Sequence, residues 1–283
     1  MYKYKIFNNI AHEGTDYLVN ENLILNEEEP EALILRSKVL DENDFNDELL
    51  CIGRAGAGVN NIPIDIASKK GVVVFNTPGA NANAVKELVL CGLLLSSRGI
   101  IQGNSFAKSL KIDEASEFNS KIEKEKKNFK GSELYGKTLG VVGLGAIGSM
   151  VAQSADALGM KLIGYDPYIS IDAAWRLPKE VQKASSIEEL VSSSDFISIH
   201  VPLVDSTKDL ISKDLLEHFK RGSKLINLSR GGIVNNNDVI DALQNDILSA
   251  FVTDFPSIEL SQRANNSGDV ILLPHIGAST EEA

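Results

Sequence analysis

The stretch Gly143-Leu144-Gly145-Ala146-Ile147-Gly148 constrains what this chain can fold into more than any other segment. An apolar run over 138–142 leads straight into it. A helical pattern follows, with Ile147, Val151, Ala155 and Leu158 on one face and Gly159 at its end. A second apolar run over 162–165 stops at Asp166. Strand, glycine turn, helix, strand and acid, in that order, are the setting in which this glycine spacing marks a dinucleotide site. Gly143 permits the tight turn and Gly145 lets a pyrophosphate approach the backbone. Gly148 lets the helix pack close to the strand, and N–H groups at the helix start meet the phosphates. Asp166 stands about 20 residues further on, where a carboxylate can accept hydrogen bonds from both adenosine ribose hydroxyls and repels a 2′-phosphate. The nearest arginine after it is Arg176, so the predicted cofactor is NAD rather than NADP. Asp166-Pro167 also has the chemistry of a turn start, which is compatible with that role.

A chain of 283 residues, 43% hydrophobic, suggests two domains with a substantial core. Its formal charge of −11 argues against nucleic acid or an anionic membrane as partner. The longest apolar stretch, 88–95, is far too short to span a bilayer. Residues 1–7 lack the long apolar segment of a signal peptide and read as a first strand. Cys51 and Cys91 make neither a disulfide framework nor a metal site. Each lies in an apolar run and is expected to be a reduced core residue, which points to the cytosol.

Before residue 100 the pattern is a smaller α/β unit. Strands are expected at 4–7, 32–35, 49–52 and 72–75, with helices between them, such as 64–70 ending at Gly71. The alternation predicts a parallel sheet wound like flavodoxin. A helix over 83–97 then leads towards the second unit. The charged stretch 104–133 reads as a solvated helix plus linker with no chemistry of its own. Past Asp166, strands are expected at 196–201, 224–228, 249–252 and 270–273, with helices over 210–219 and 238–244. Ser229-Arg230-Gly231-Gly232 and His275 each follow a strand end, the edge of an open α/β sheet where ligands bind.

These motifs, in this order, resemble the D-isomer-specific 2-hydroxyacid dehydrogenases over essentially the whole chain. The residues that carry the resemblance begin with Ile52-Gly53-Arg54-Ala55-Gly56-Ala57-Gly58-Val59-Asn60-Asn61-Ile62 and Asn76-Thr77-Pro78-Gly79-Ala80-Asn81. The glycine turn at Gly143 and His200-Val201-Pro202-Leu203 follow. The last are Asn227-Leu228-Ser229-Arg230-Gly231-Gly232, Asp254 and its neighbours, and Leu273-Pro274-His275-Ile276-Gly277-Ala278-Ser279-Thr280. The resemblance implies two α/β domains: a flavodoxin-like substrate-binding domain over 1–95, joined by the chain end 276–283, and a Rossmann NAD-binding domain over 96–275. It implies a catalytic set of Arg230, Glu259 and His275. Asp254 and Glu259 keep the family's spacing, while the residues between and after them depart from its D-V-F-x-x-E-P pattern.

The chemistry of 2-hydroxy acid oxidation needs those residue types. A base of near-neutral pKa takes the hydroxyl proton, work suited to His275. A carboxylate, Glu259, would orient the imidazole and stabilise its protonated form. A guanidinium, Arg230, clamps the substrate carboxylate through paired hydrogen bonds. The resemblance further implies that Asp254 bonds the nicotinamide carboxamide, and that His200, Pro202 and Thr207 line the adenosine end together with Gly143, Gly145, Ala146, Ile147, Gly148 and Asp166. Backbone N–H groups of Ala55 and Gly56 are expected to meet the substrate carboxylate, and Arg54 to meet a substrate phosphate. The match is nearest to the phosphoglycerate branch of the family. That branch implies oxidation of 3-phosphoglycerate to 3-phosphohydroxypyruvate at the start of serine synthesis, in a cytoplasmic homo-oligomer such as a dimer. Another 2-hydroxy acid such as D-lactate or glyoxylate, or a non-enzymatic NAD-binding module like the related corepressors, are the alternatives. Finally, Ser279-Thr280-Glu281-Glu282 reads as a capping box. A helix start is expected there, and the resemblance implies that the chain continues beyond Ala283.

Overall fold

The computed structural model describes residues 2–8, 10–56 and 58–282, apart from the side chains at 172 and 265–267. Ala57 of the glycine-rich motif and Ala283 at the chain end lie outside the described residues. The chain divides into two compact units, Met1–Asn81 and Ala82–Ala283.

The first unit runs β1 (Lys3–Ile6), α1 (His12–Asn20), β2 (Ile24–Leu25), β3 (Ala32–Leu35), β4 (Cys51–Arg54), α2 (Ile64–Lys70) and β5 (Val73–Asn76). Its strands are all parallel in the order β2-β1-β3-β4-β5. That is the expected flavodoxin winding. Leu33, Leu35, Phe45, Leu49 and Ile52 form its core. Helix α2 ends where the sequence places its stop. Gly71 takes a left-handed φ of 72° and returns its N–H to Ala67 and Ser68.

The second unit opens with α3 (Ala82–Ser97), α4 (Ile100–Ser109) and α5 (Ala115–Glu125), then β6 (Thr138–Val142), α6 (Ala146–Ala157) and β7 (Lys161–Tyr165). It continues through α7 (Ile171–Ala174), β8 (Gln182–Lys183), α8 (Ile187–Ser193), β9 (Phe196–Ile199), α9 (Lys213–Leu216) and β10 (Ser223–Asn227). The last elements are α10 (Asn236–Gln244), β11 (Leu248–Thr253), α11 (Ile258–Ser267) and β12 (Val270–Leu272). Seven parallel strands lie in the order β12-β11-β10-β9-β6-β7-β8, the Rossmann winding, with the switch point between β6 and β9. Helices cover both faces, so neighbouring strand residues feed two different cores. Val141 and Phe196 join one core with α3 and α6, and Val142 and Ile197 join the other.

Several expectations need correcting. The two units part at residue 81 rather than 95, because α3 belongs to the second sheet. Val85, Val89 and Leu93 pack with Val151 and Ala155 of α6. A Cβ at Gly92 would stand 3.3 Å from Val252, so the helix rides directly on β11. Cys91, on the outer side of α3, is exposed and Cys51 is half-buried; both are free thiols, and burial pushes the Cys51 thiol up. Residues 210–219 hold only one short helix. Ile211 is extended and bridges Val234, and Ser212 precedes the helix start at Lys213. The charged stretch holds α5 and part of α4, neither with a buried residue, and Glu114 caps α5 by accepting from Ser116 and Glu117. Residues 276–282 form turns instead of starting a helix, with Ser279 N–H donating to Ile276.

Candidate functional site

The glycine turn sits at the sheet's switch point, and each of its glycines has a separate reason. Gly143 has φ +89°, and a Cβ there would lie 2.8 Å from the His200 carbonyl carbon, so the turn presses on the loop leaving β9. A Cβ at Gly148 would lie 2.0 Å from the Gly143 carbonyl oxygen, which only glycine permits. At Gly145 no described atom comes within 4 Å of where a Cβ would stand, so this position faces open space. No described side chain caps α6, which leaves N–H groups of its first turn for a ligand. Ala146 and Ile147 form that turn. Asp166, just past the end of β7, bends back to the same place. Its carboxylate accepts from Leu144 N–H (2.8 Å) and Tyr168 N–H (2.9 Å). An uncapped helix start, a glycine opening and a carboxylate at the next strand end together fit a dinucleotide.

Beyond β9, Thr207 organises the loop that carries Pro202. Its hydroxyl donates to the Pro202 carbonyl (2.6 Å) and accepts from Val204 N–H (2.9 Å). His200 keeps some accessible surface, but its ring is enclosed and pairs with the Ser198 hydroxyl (2.9 Å). Burial pushes its pKa down to about 4, so the ring is neutral. That is the state of a structural support rather than of a proton carrier.

Arg230 and His275 lie on loops that two buried residues hold. Asn227, at the end of β10, accepts from Ser229 N–H (3.2 Å) and donates to the Arg230 carbonyl (3.0 Å). Its own carbonyl accepts from Asp254 N–H (3.2 Å). The Asp254 carboxylate, almost fully buried, accepts from Ile276 N–H (2.8 Å) and Gly277 N–H (2.7 Å), the residues directly after His275. Asp254 therefore acts here as a brace. His275 adopts a left-handed backbone (φ 57°) with an exposed ring, and meets the Phe255 ring edge-on at 5.1 Å. Arg230 turns its guanidinium to the Ser229 carbonyl (2.7 Å).

The expected pairing of Glu259 with His275 is not made in this structure. Glu259 lies exposed in the first turn of α11. Bonds from its own N–H and from the Ser257 hydroxyl hold its carboxyl below the usual range. No carboxylate among the described residues bonds the His275 ring. In the first unit, Arg54 donates to the Arg36 carbonyl (3.1 Å), and its guanidinium fills the space a Cβ at Gly56 (φ 140°) would need. The N–H groups expected to bind a substrate carboxylate are engaged instead. Ala55 donates to Leu35 (2.8 Å) and Gly56 to the Thr77 hydroxyl (2.7 Å). Sequence reasoning gave no role to Asn227, Phe255, Ser257 or Thr77. Asn227 and Thr77 stood in quoted motifs, yet only the fold shows what they hold. Among the described residues, no group of His, Cys, Asp or Glu could hold a metal, and no helix is long and apolar enough to cross a membrane.

Comparison with known proteins accords with this geometry. Residues 92–277 match the family model described as "D-isomer specific 2-hydroxyacid dehydrogenase, NAD binding domain". The chain is 37% identical over 279 residues to a D-3-phosphoglycerate dehydrogenase of Methanocaldococcus jannaschii, covering 94% of this chain and 49% of that protein. It thus spans about half the length of the phosphoglycerate dehydrogenases it matches. It is 35% identical to a hydroxypyruvate reductase of Thermotoga maritima, covering 95% of this chain and 85% of that protein. Among solved structures, the NAD-bound 3-phosphoglycerate dehydrogenase of Entamoeba histolytica aligns with a TM-score of 0.76 at 27% identity, over 99% of this chain and 89% of that one. The glycine turn, the loops after β10 and β12 and these matches agree: the chain belongs to the D-isomer-specific 2-hydroxyacid dehydrogenase family, with NAD as its cofactor.

Proposed function

We propose that the chain oxidises a D-2-hydroxy acid with NAD, and that the acid is 3-phosphoglycerate. The observation that carries the first part is the joining of the Arg230 and His275 loops through Asn227 and Asp254, on the same sheet edge as the glycine turn. Arg230 holds the substrate carboxylate by charge-assisted hydrogen bonds, giving up its bond to Ser229. His275 takes the hydroxyl proton as the carbon loses its hydride. Glu259, released from Ser257, stabilises the protonated imidazole. Bound NAD supplies the hydride acceptor. Asp166 receives the ribose hydroxyls, and the loop of His200, Pro202 and Thr207 lines the adenosine end.

The choice of 3-phosphoglycerate rests on likeness to phosphoglycerate dehydrogenases and on Arg54, assigned to the substrate phosphate. We assign the reaction to the start of serine synthesis, in a cytosolic homo-oligomer, a reading the same likeness supports. A second reading, reduction of hydroxypyruvate, is favoured by the fuller coverage of the Thermotoga maritima reductase. Absorbance of NADH tests both. Turnover of 3-phosphoglycerate well above D-lactate, glyoxylate and hydroxypyruvate is expected. Preference for hydroxypyruvate would establish the second reading. Turnover of none of them, with NAD still bound, would leave a binding module.

A further inference from the structure

A catalytic imidazole needs something to fix its orientation, and in this structure no described carboxylate does so for His275. The chain supplies an aromatic ring instead. Phe255 directly follows Asp254 and is half-buried, with its N–H donating to the Thr253 hydroxyl (3.2 Å). Its ring centroid lies 5.1 Å from that of His275, with the planes at 62°, an edge-on geometry favoured for aromatic pairs. The same side chain stands beside Gly231, where a Cβ would lie 3.5 Å from the Phe255 Cβ and Cγ. Phe255 thus neighbours both the backbone next to Arg230 and the imidazole. The backbone of His275 is separately constrained. A left-handed φ at a residue other than glycine persists only where its surroundings enforce it. Asp254 enforces it here by taking the next two N–H groups.

We propose that Phe255 is the positioning residue for His275, and that its ring, beside Gly231, sets the imidazole's orientation relative to Arg230. The inference rests on the acid–base role given to His275 above, but the contact can be tested without it. Side-chain resonances of the four histidines are recorded in the intact chain, with His275 assigned through His275→Gln. The Phe255 ring should shift the His275 ring protons. Phe255→Leu, which stays apolar but has no ring, should abolish that shift, and Phe255→Tyr should keep it. In turnover, Phe255→Leu should lower kcat about 3–10-fold with KM for NAD unchanged, and Phe255→Tyr should restore kcat. Thermal melting of both variants near that of the parent shows that folding is not the cause.

Unchanged His275 resonances in Phe255→Leu would overturn the proposal. So would a lost shift with kcat intact. If the parent chain turns over no 2-hydroxy acid, the functional reading fails alone. The resonance comparison then still decides whether Phe255 orients His275.

Discussion

A proton on the His200 ring would be buried without a counter-ion, and that makes one residue a reporter of pH. Its folded pKa of about 4 lies below the ordinary 6.5, so between those values the unfolded chain binds the extra proton. The contribution to stability is therefore complete above about pH 6.5 and is lost as pH falls towards 4, by up to about 3 kcal/mol. Urea unfolding at pH 7 and pH 5 should show the drop in the parent and a smaller one in His200→Gln. Asp166 makes a second prediction at this scale. NAD should bind far more tightly than NADP, and Asp166→Ala should narrow the gap in a fluorescence titration. Because the carboxylate also holds Leu144 N–H, the variant should weaken NAD itself. Equal dissociation constants for the two nucleotides in the parent would refute the assignment.

Helix α6 and its glycine turn give the clearest test at the scale of an element. Gly148→Ala drives a methyl into the Gly143 carbonyl, a forced overlap whose cost should reach or exceed about 3 kcal/mol. Gly145→Ala meets no described atom, so its melting temperature should stay near the parent's while NAD affinity falls. If both variants melted alike, the two glycines would not have separate reasons. The contrast also shows what the sequence can carry. Strand, turn and helix around Gly143 are legible because local pattern and backbone chemistry coincide there, and β3, α2 and β6 fall where expected. Ile24–Leu25 could not be foreseen as a strand, being two exposed residues whose only support is pairing with β1. At the site, Arg230 and His275 were legible as residues after strand ends. Glu259 was legible only as a spacing, and Ser257, the cap that holds it, was not weighed. Phe255 stands beside Gly231 and meets the His275 ring, which brings separate loops together, and no local pattern records that.

On the scale of the whole molecule, the two arginines assigned to substrate stand in different units, Arg54 in the first and Arg230 in the second. Every 2-hydroxy acid has the carboxylate, whereas only a phosphorylated one has a second anion. Arg230→Ala should therefore impair all substrates. Arg54→Ala should impair 3-phosphoglycerate by about 1.5–3 kcal/mol in kcat/KM and an unphosphorylated acid little. Equal losses for Arg54→Ala on both would show that it does not read phosphate. That the chain has two α/β units was legible from length and alternation. Where they part was not, since the seat of α3 on β11 depends on Gly92 meeting a strand far along the chain.

The brace at Asp254 has a consequence in time as well as in space. With both carboxylate oxygens occupied by Ile276 and Gly277, and its own N–H on Asn227, Asp254 ties the loop with Arg230 to the loop with His275, and the two are expected to open together. Their amide protons should then exchange with solvent at one common, slow rate, although His275 itself is exposed. Asp254→Asn replaces one acceptor with a donor facing a donor, at a cost of about 1–3 kcal/mol. In that variant the Ile276 and Gly277 amides should exchange faster than those after β10, measured by deuterium uptake in the nucleotide-free chain. A single carboxylate would then set how long the acid–base group and the clamp stay in register.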